Sequence, residues 1–298
     1  AIKDYQFVVV TKNALYLENS NNQNYAVSTV SGYVKAAVDE GYNVKHVDID
    51  SNILDNDLLD IIYKEVHAKS DIQIVYRNGV RYKILLERTD FPRNLEMQDP
   101  LVNEGVYVVT GGMGGIALEI ANILLEKYKG NILLLTRSKL TPKQEEDLSM
   151  LRQYKGSVKY QICDVTDYKT EKNIIENFIK SNNKKLNGII HLAGIFRDKL
   201  INEQTSEDIF EMYNAKVFAT CIQAKLVEEN PGAIFITTSS ARTINPGATV
   251  SAYCSASEFN EHIVGYLNNI KKIKAFCISW SQWSNIGMNQ NSSLEEYL

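Results

Sequence analysis

The stretch Val106 to Ala117, VYVVTGGMGGIA, leaves few folds open, because an apolar strand pattern runs straight into four glycines and then into the helical period of LEIANILLEKY. Residues without a Cβ can take positive φ and let the backbone approach an anion, which the first free amides of the following helix then bind. Gly111, Gly112, Gly114 and Gly115 therefore read as a nucleotide-phosphate turn, and the strand before and helix after separate it from an ordinary tight turn.

After Gly105 the pattern repeats. Apolar runs in NILLLTRSK, VKYQICDVTD, GIIHLAG, AIFITTSS and KAFCISW alternate with helical segments. A spacing of about 25 to 35 residues per unit implies right-handed parallel crossovers, hence an α/β fold with a doubly wound parallel sheet, Rossmann-like, covered on both faces. Ligands of such sheets bind beyond the carboxyl ends of the strands.

The first half differs. FVVV at 7 to 10 and VKHVDI at 44 to 49 alternate with amphipathic segments at 28 to 40 and 55 to 68, and IQIVYRNGVRYKILLE reads as a hairpin around Asn78-Gly79. It has no glycine-rich turn and no clustered acid, base or nucleophile, so it reads as a small α/β scaffold. Residues 89 to 104 lose periodicity and carry two prolines, which suits a connection. The expected division is 1–98 and 99–298.

The chain has 298 residues, a net charge of -4 and 44% apolar residues, enough for one large core or two modest ones. Neither nucleic acid nor membrane is expected as a partner: no apolar run reaches about 18 to 20 residues, and the start AIKDYQ lacks a signal peptide's pattern. The expected location is cytoplasmic. Cys163, Cys221, Cys254 and Cys277 are scattered without ligand spacing, so they read as buried thiols, and no metal site is expected.

Polar residues stand where the strands end. Arg137, followed by Ser138 and Lys139, occupies the place where a free ribose would call for Asp or Glu, so a 2′-phosphate and hence NADPH is expected over NADH. Asp164 reads as an acceptor for the adenine amino group and equally as a helix N-cap, two roles that do not exclude each other. His191 begins HLAG, whose small residues let the backbone pass close to a cofactor ribose, and is given no chemical role. Ser240 ends AIFITTSS, and Tyr253 follows 13 residues later, beyond a turn marked by Asn245, Pro246 and Gly247. Two hydroxyl donors converging on one carbonyl would polarise it for hydride attack, the tyrosine giving its proton to the developing alkoxide. A phenol, with a reference pKa of about 10, needs a cation to stabilise its anion. Lys216, in NAKVFAT, can supply one.

With these residues the chain resembles the ketoreductase domains of modular polyketide synthases, a branch of the short-chain dehydrogenase/reductases. The matching motifs are TGGMGGIA, LLLTRS, CDVTD, GIIHLAG, NAKVFAT, TTSSARTINPGATVSAY and WSQWSNIGM, in the family's order between residues 105 and 288. The resemblance implies catalysis by Tyr253, Ser240 and Lys216, with Ser257 beside them. It implies an NADPH site formed by Thr110, Gly111, Gly112, Met113, Gly114, Gly115, Ile116, Arg137, Ser138, Asp164, Val165, Ala193 and Gly194. It further implies that residues 1 to 98 form a truncated, cofactor-free, Rossmann-like structural subdomain. The substrate would be a thioester on the phosphopantetheine arm of an acyl carrier protein, with neighbouring synthase domains as further partners. The family continues past Trp283, Gly287 and Met288 into a lid helix and closing strand, so the sequence reads as an excised domain.

Three positions depart from the family pattern. Ala117 replaces a glycine of the turn, Ser281 replaces a glycine between two tryptophans, and Ser257 stands where asparagine is usual. A serine hydroxyl donates and accepts but is shorter than a carboxamide. On the substrate side, Phe196, Arg197 and Asp198 occupy the place of the Leu-Asp-Asp motif of B-type members, with only the last acid kept; Asn245 stands where the other class carries tryptophan, and Met288 lies in the final motif. B-type reduction to a D-configured hydroxyl is expected. Three activities remain open: β-ketoacyl reduction, α-ketoacyl reduction as in related domains of peptide synthetases, and a scaffold without turnover.

Overall fold

The apolar runs form strands and the amphipathic segments form helices in the computed structural model, which describes residues 5–17, 24–68, 71–88, 90 and 99–283. Packing groups the chain into two units: Ala1–Met97, Arg197–Ile209 and Ser240–Tyr266 in the first, and Gln98–Phe196, Phe210–Ser239 and Leu267–Leu298 in the second. Membership is thus interleaved along the sequence rather than divided once near residue 98.

In the first unit, β1 (Gln6–Lys12), β2 (Asn43–Ile49), β3 (Gln73–Arg77) and β4 (Val80–Lys83) lie side by side in that order, parallel except for the last pair. Asn78 and Gly79 both have positive φ (52° and 75°), the conformation that joins two strands tightly with the right twist. Helices α1 (Thr29–Asp39) and α2 (Asp55–His67) follow β1 and β2. Val47, Ile49, Ile61, Ile74 and Tyr76 form the apolar core. Buried polar groups are matched around it: the Asp48 carboxylate accepts from Ala14 N and Leu15 N and pairs with Arg77.

The second unit carries β5 (Val106–Thr110), α3 (Gly115–Glu126), β6 (Asn131–Thr136), α4 (Pro142–Leu151), β7 (Ser157–Ile162), α5 (Tyr168–Asn182), β8 (Leu186–His191), the end of α6 (Ser206–Tyr213) from Phe210 onward, α7 (Ala219–Glu228), β9 (Ile234–Ser240) and β10 (Ala275–Trp280). The strand order β10-β9-β8-β5-β6-β7 reverses direction between β5 and β8, so this is the doubly wound, Rossmann-like α/β sheet that the sequence predicts. Every residue of β5 is buried, as a central strand covered on both faces requires. Local signals set the helix starts: Thr141 and Gln144 form a reciprocal capping box at α4, and Asp167 caps α5.

Helix α8 (Ser251–Asn269) belongs to the first unit through Tyr266 and packs there on α1. The approach is so close that a Cβ at Gly32 would lie 2.6 Å from the carbonyl carbon and oxygen of Cys254. Ser255 Oγ donates to Thr29 O at 2.6 Å across the same contact. Cys163 and Cys254 are buried as expected, whereas Cys221 and Cys277 are half-buried. Among the described residues no helix is long and apolar enough to cross a membrane.

Candidate functional site

The strand order reverses between β5 and β8, the point at which sheets of this class bind ligands beyond the carboxyl ends of their strands, and the glycine turn leaves β5 there. Thr110, the last residue of β5, fastens the two strand ends: its Oγ1 accepts from Leu192 N (3.2 Å) and Ala193 N (3.3 Å) and lies 2.7 Å from His191 Nδ1. With both acceptor positions taken by amides, the hydroxyl hydrogen points to Nδ1, which places the imidazole proton on Nε2. Burial, with the charge of Lys216 adding to it, pushes the His191 pKa down to about 3, so the ring is neutral. His191 thus fastens the two strand ends as a neutral ring.

Gly111 has φ +66°, and a Cβ there would lie 3.0 Å from Ala193 N and Leu192 O, so only glycine fits between the turn and β8's extension. Gly112 N donates to Leu135 O at 3.0 Å, which pins the turn to the end of β6. Gly114 is the N-cap of α3 and offers no side chain, and the first turn holds no acidic residue. The opening amides of α3, from Gly115 and Ile116, are therefore left for an external anion. The Met113 and Ala117 side chains pack in the core, so Met113 presents only its backbone to the turn. These features fit a dinucleotide pyrophosphate.

Arg137 and Ser138 are exposed just past β6, and among the described residues Arg137 forms no ion pair. Ser138 O accepts from Thr136 Oγ1 (2.9 Å) and Tyr160 Oη (2.8 Å), which fixes the loop carrying the guanidinium. Asp164 Oδ1 accepts from Thr166 N (2.9 Å) and Thr166 Oγ1 (2.7 Å) in a local turn, so the helix-cap role goes to Asp167; Val165 beside it is half-buried.

Lys216 is only 4% exposed and lies in a five-residue π-helical turn, Asn214–Phe218, between α6 and α7. Such turns are rare and favour functional sites. Its stem runs along Gly194, where a Cβ would sit 3.4 Å from Lys216 Cγ. The second unit thus gathers the glycine turn, Ala193, Gly194 and Lys216 at one end of its sheet, with Phe196 half-buried at the end of that segment.

The first unit holds the hydroxyls. Ser240 ends β9, and its Oγ accepts from Arg242 N (3.2 Å) as the chain enters a 3-10 turn. Tyr253 is half-buried in the first turn of α8, and Ser257 is fully buried one turn later on the same helix face. Arg197 and Asp198 are exposed, and the Asp198 carboxylate meets the Thr249 hydroxyl. Met288 lies outside the described residues.

Sequence reasoning missed the acids that hold this region. Glu258 pairs with Lys35 on α1 at 2.9 Å, and Asp39 and Glu40 accept hydrogen bonds from the loops ahead of α8. The available signal was two carboxylates closing an amphipathic segment, where a helix's negative end disfavours them.

The second unit is a Rossmann-type nucleotide-binding fold, the class that serves dinucleotide oxidoreductases. Residues 105–285 match the KR domain family. Polyketide synthase PksN of Bacillus subtilis (strain 168) is 26% identical over 94% of this chain, which spans only 5% of PksN's length. Among solved structures, the adenylation, ketoreductase and pseudo Asub multidomain structure of a keto acid-selecting NRPS module is 30% identical with a TM-score of 0.87, covering 97% of this chain and 25% of that one. A ketoreductase domain from the bacillaene assembly line is 25% identical with a TM-score of 0.80, covering 99% of this chain and 70% of that one. The chain belongs to the KR domain family, the NAD(P)H-dependent ketoreductases of polyketide synthase assembly lines.

Proposed function

We propose that this domain uses NADPH to reduce a β-ketoacyl thioester, carried on the phosphopantetheine of an acyl carrier protein within a cytoplasmic synthase, to the β-hydroxyacyl thioester with a D-configured hydroxyl. The observation that carries the reading is the placement of two hydroxyl donors 13 residues apart, Ser240 closing a parallel strand and Tyr253 in the first turn of the next long helix. Bound NADPH supplies the hydride. Ser240 and Tyr253 donate to the ketone oxygen and draw charge onto it, and Tyr253 passes its proton to that oxygen as the alkoxide forms. The Lys216 ammonium offsets the phenolate charge. The amides of Gly115 and Ile116 take the pyrophosphate and Arg137 the 2′-phosphate. The linear division at residue 98 remains our reading of which segment derives from the structural subdomain.

A second reading, reduction of an α-ketoacyl thioester, has its own support. The 30% identity is to a structure that includes a keto acid-selecting module, and Ser257 puts a smaller group where the family has asparagine.

The test is NADPH oxidation with matched β-keto and α-keto pantetheine thioesters, by the wild type and Tyr253→Phe. Loss of the phenol should lower kcat by about 10²–10⁴-fold while leaving the NADPH Kd within about twofold. The faster thioester selects between the two readings. Wild-type turnover by Tyr253→Phe would remove the assigned role, and tight NADPH binding without reduction of either thioester or of the carrier-bound substrate would point to a scaffold.

A further inference from the structure

Helix α1 ends on two acids with no basic residue in its last turn, a placement that the helix dipole opposes. Their carboxylates are occupied by backbone amides of two distant segments of the same unit. Glu40, 8% exposed, accepts from Ile201 N through Oε2 (2.8 Å) and from Thr249 N through Oε1 (3.0 Å). Asp39 Oδ2 accepts from Gly247 N at 2.7 Å.

The middle of these contacts is Thr249, a β-branched residue at φ +71°, a conformation such residues seldom adopt. It is held on three sides: its amide by Glu40, its carbonyl by Lys199 N (2.9 Å), and its hydroxyl against the Asp198 carboxylate. From there the chain enters α8, whose first residue, Ser251, accepts from Gln204 Nε2 at 2.7 Å. Tyr253 follows two residues later. The segment from Ser240 to Tyr253 therefore has its far half pinned to the end of α1, and the relative placement of the two hydroxyls depends on that pin.

We infer that Glu40 is a positioning residue for the Ser240 and Tyr253 donor pair, and through it a determinant of which face of the ketone is reduced. A ketone oxygen shared by two donors takes its orientation from the line between them, so a shift of Tyr253 against Ser240 turns the carbonyl relative to the hydride source. The inference rests on the reading of Tyr253 as proton donor. It does not depend on which enantiomer the wild type makes.

Glu40→Gln keeps one acceptor oxygen and turns an NH2 toward the other amide, breaking one of the two bonds. The readouts are kcat, KM for the thioester, NADPH Kd, and the enantiomer ratio of the hydroxy product by chiral chromatography. The expected result is a kcat about 10- to 100-fold lower with an eroded enantiomer ratio, and an NADPH Kd within about twofold of the wild type. Adding Thr249→Gly, which accepts positive φ freely, should recover part of both losses, a rescue that a general loss of stability would not give. Folded Glu40→Gln with an unchanged ratio and kcat, or losses that Thr249→Gly does not relieve, would overturn the inference. If Glu40→Gln does not fold, Asp39→Ala, which removes the acceptor for Gly247 N, carries the same readouts. Activity in Tyr253→Phe would instead overturn the reading beneath.

Discussion

Arg137 stands one position beyond the last residue of β6, exposed and without an ion pair among the described residues, on a loop fixed through the Ser138 carbonyl. A guanidinium so placed can give a phosphate two charge-assisted bonds, each worth about 1.5–3 kcal/mol. Arg137→Ala should therefore weaken NADPH by about 10- to 100-fold and NADH by no more than about twofold, read by fluorescence titration. Equal losses for the two would remove the 2′-phosphate assignment. Residues of this kind were legible in the sequence because the chemistry dictates their type: glycine where a Cβ would strike the backbone of residues 192 and 193, a hydroxyl at a strand end, a phenol after a turn. The supporting contacts were not. Thr110 and His191 are 81 positions apart, and Glu40 and Thr249 are 209 apart, so no local pattern marks them as partners. Asp164 shows the intermediate case, since the sequence offered a cap or a ligand and the cap lies at Asp167, three residues on.

At the scale of elements, burial and local turn chemistry agree, which is why strands and helices could be read directly. All five residues of β5 are buried, Asn78 and Gly79 take the two positive φ angles of a tight hairpin, and Thr141 with Gln144 announces α4. The π-helical turn at Asn214–Phe218 leaves no such trace, because one extra residue in a turn does not change composition. The packing of α1 on α8 was equally hidden, since Thr29 and Ser255 are 226 positions apart. That contact has a measurable consequence. At Gly32 an added Cβ meets the main chain of Cys254 and Ser255 at 2.6–2.7 Å, and neither can yield as a flexible side chain would. Gly32→Ala should force the helices apart and destabilise by about 1–3 kcal/mol, despite alanine's better helix propensity. Because Cys254 adjoins Tyr253, kcat should fall as well, while NADPH affinity holds. A thermal midpoint equal to or above the wild type's would refute the contact.

Three buried groups that stay neutral, among the described residues, contribute to the stability of the whole molecule against pH. Burial lowers His191 to about 3, and in the first unit burial outweighs the neighbouring Asp48 charge and lowers His46 to about 4, both from 6.5. A base whose folded pKa is depressed contributes stability that is present above 6.5 and is lost as pH falls toward 3 to 4, because unfolding then takes up protons. Each unit therefore carries its own acid sensitivity. Glu171 acts in the opposite direction: burial, with Asp164's charge adding to it against the bond from Gln223, raises it from 4.5 to about 8. An acid whose folded pKa is raised contributes fully below 4.5 and loses that contribution as pH climbs to about 8, since the unfolded chain ionises first. At about 1.4 kcal/mol per unit, the loss across this window is on the order of a few kcal/mol. Glu171→Gln separates the two trends. A carboxamide oxygen still accepts from Gln223 Nε2, now 2.8 Å from Glu171 Oε2, but carries no titrating proton. Urea midpoints measured from about pH 7 to 8.5, above the range in which the histidines act, should fall with rising pH in the wild type and hold nearly level in Glu171→Gln, so that the variant gains relative stability in base. Below about pH 6.5 both proteins should weaken as pH falls, because the two histidines are untouched, the wild type less steeply because Glu171 regains its contribution there. Curves that stay parallel across the alkaline half would show that the Glu171 proton is not retained in the folded chain.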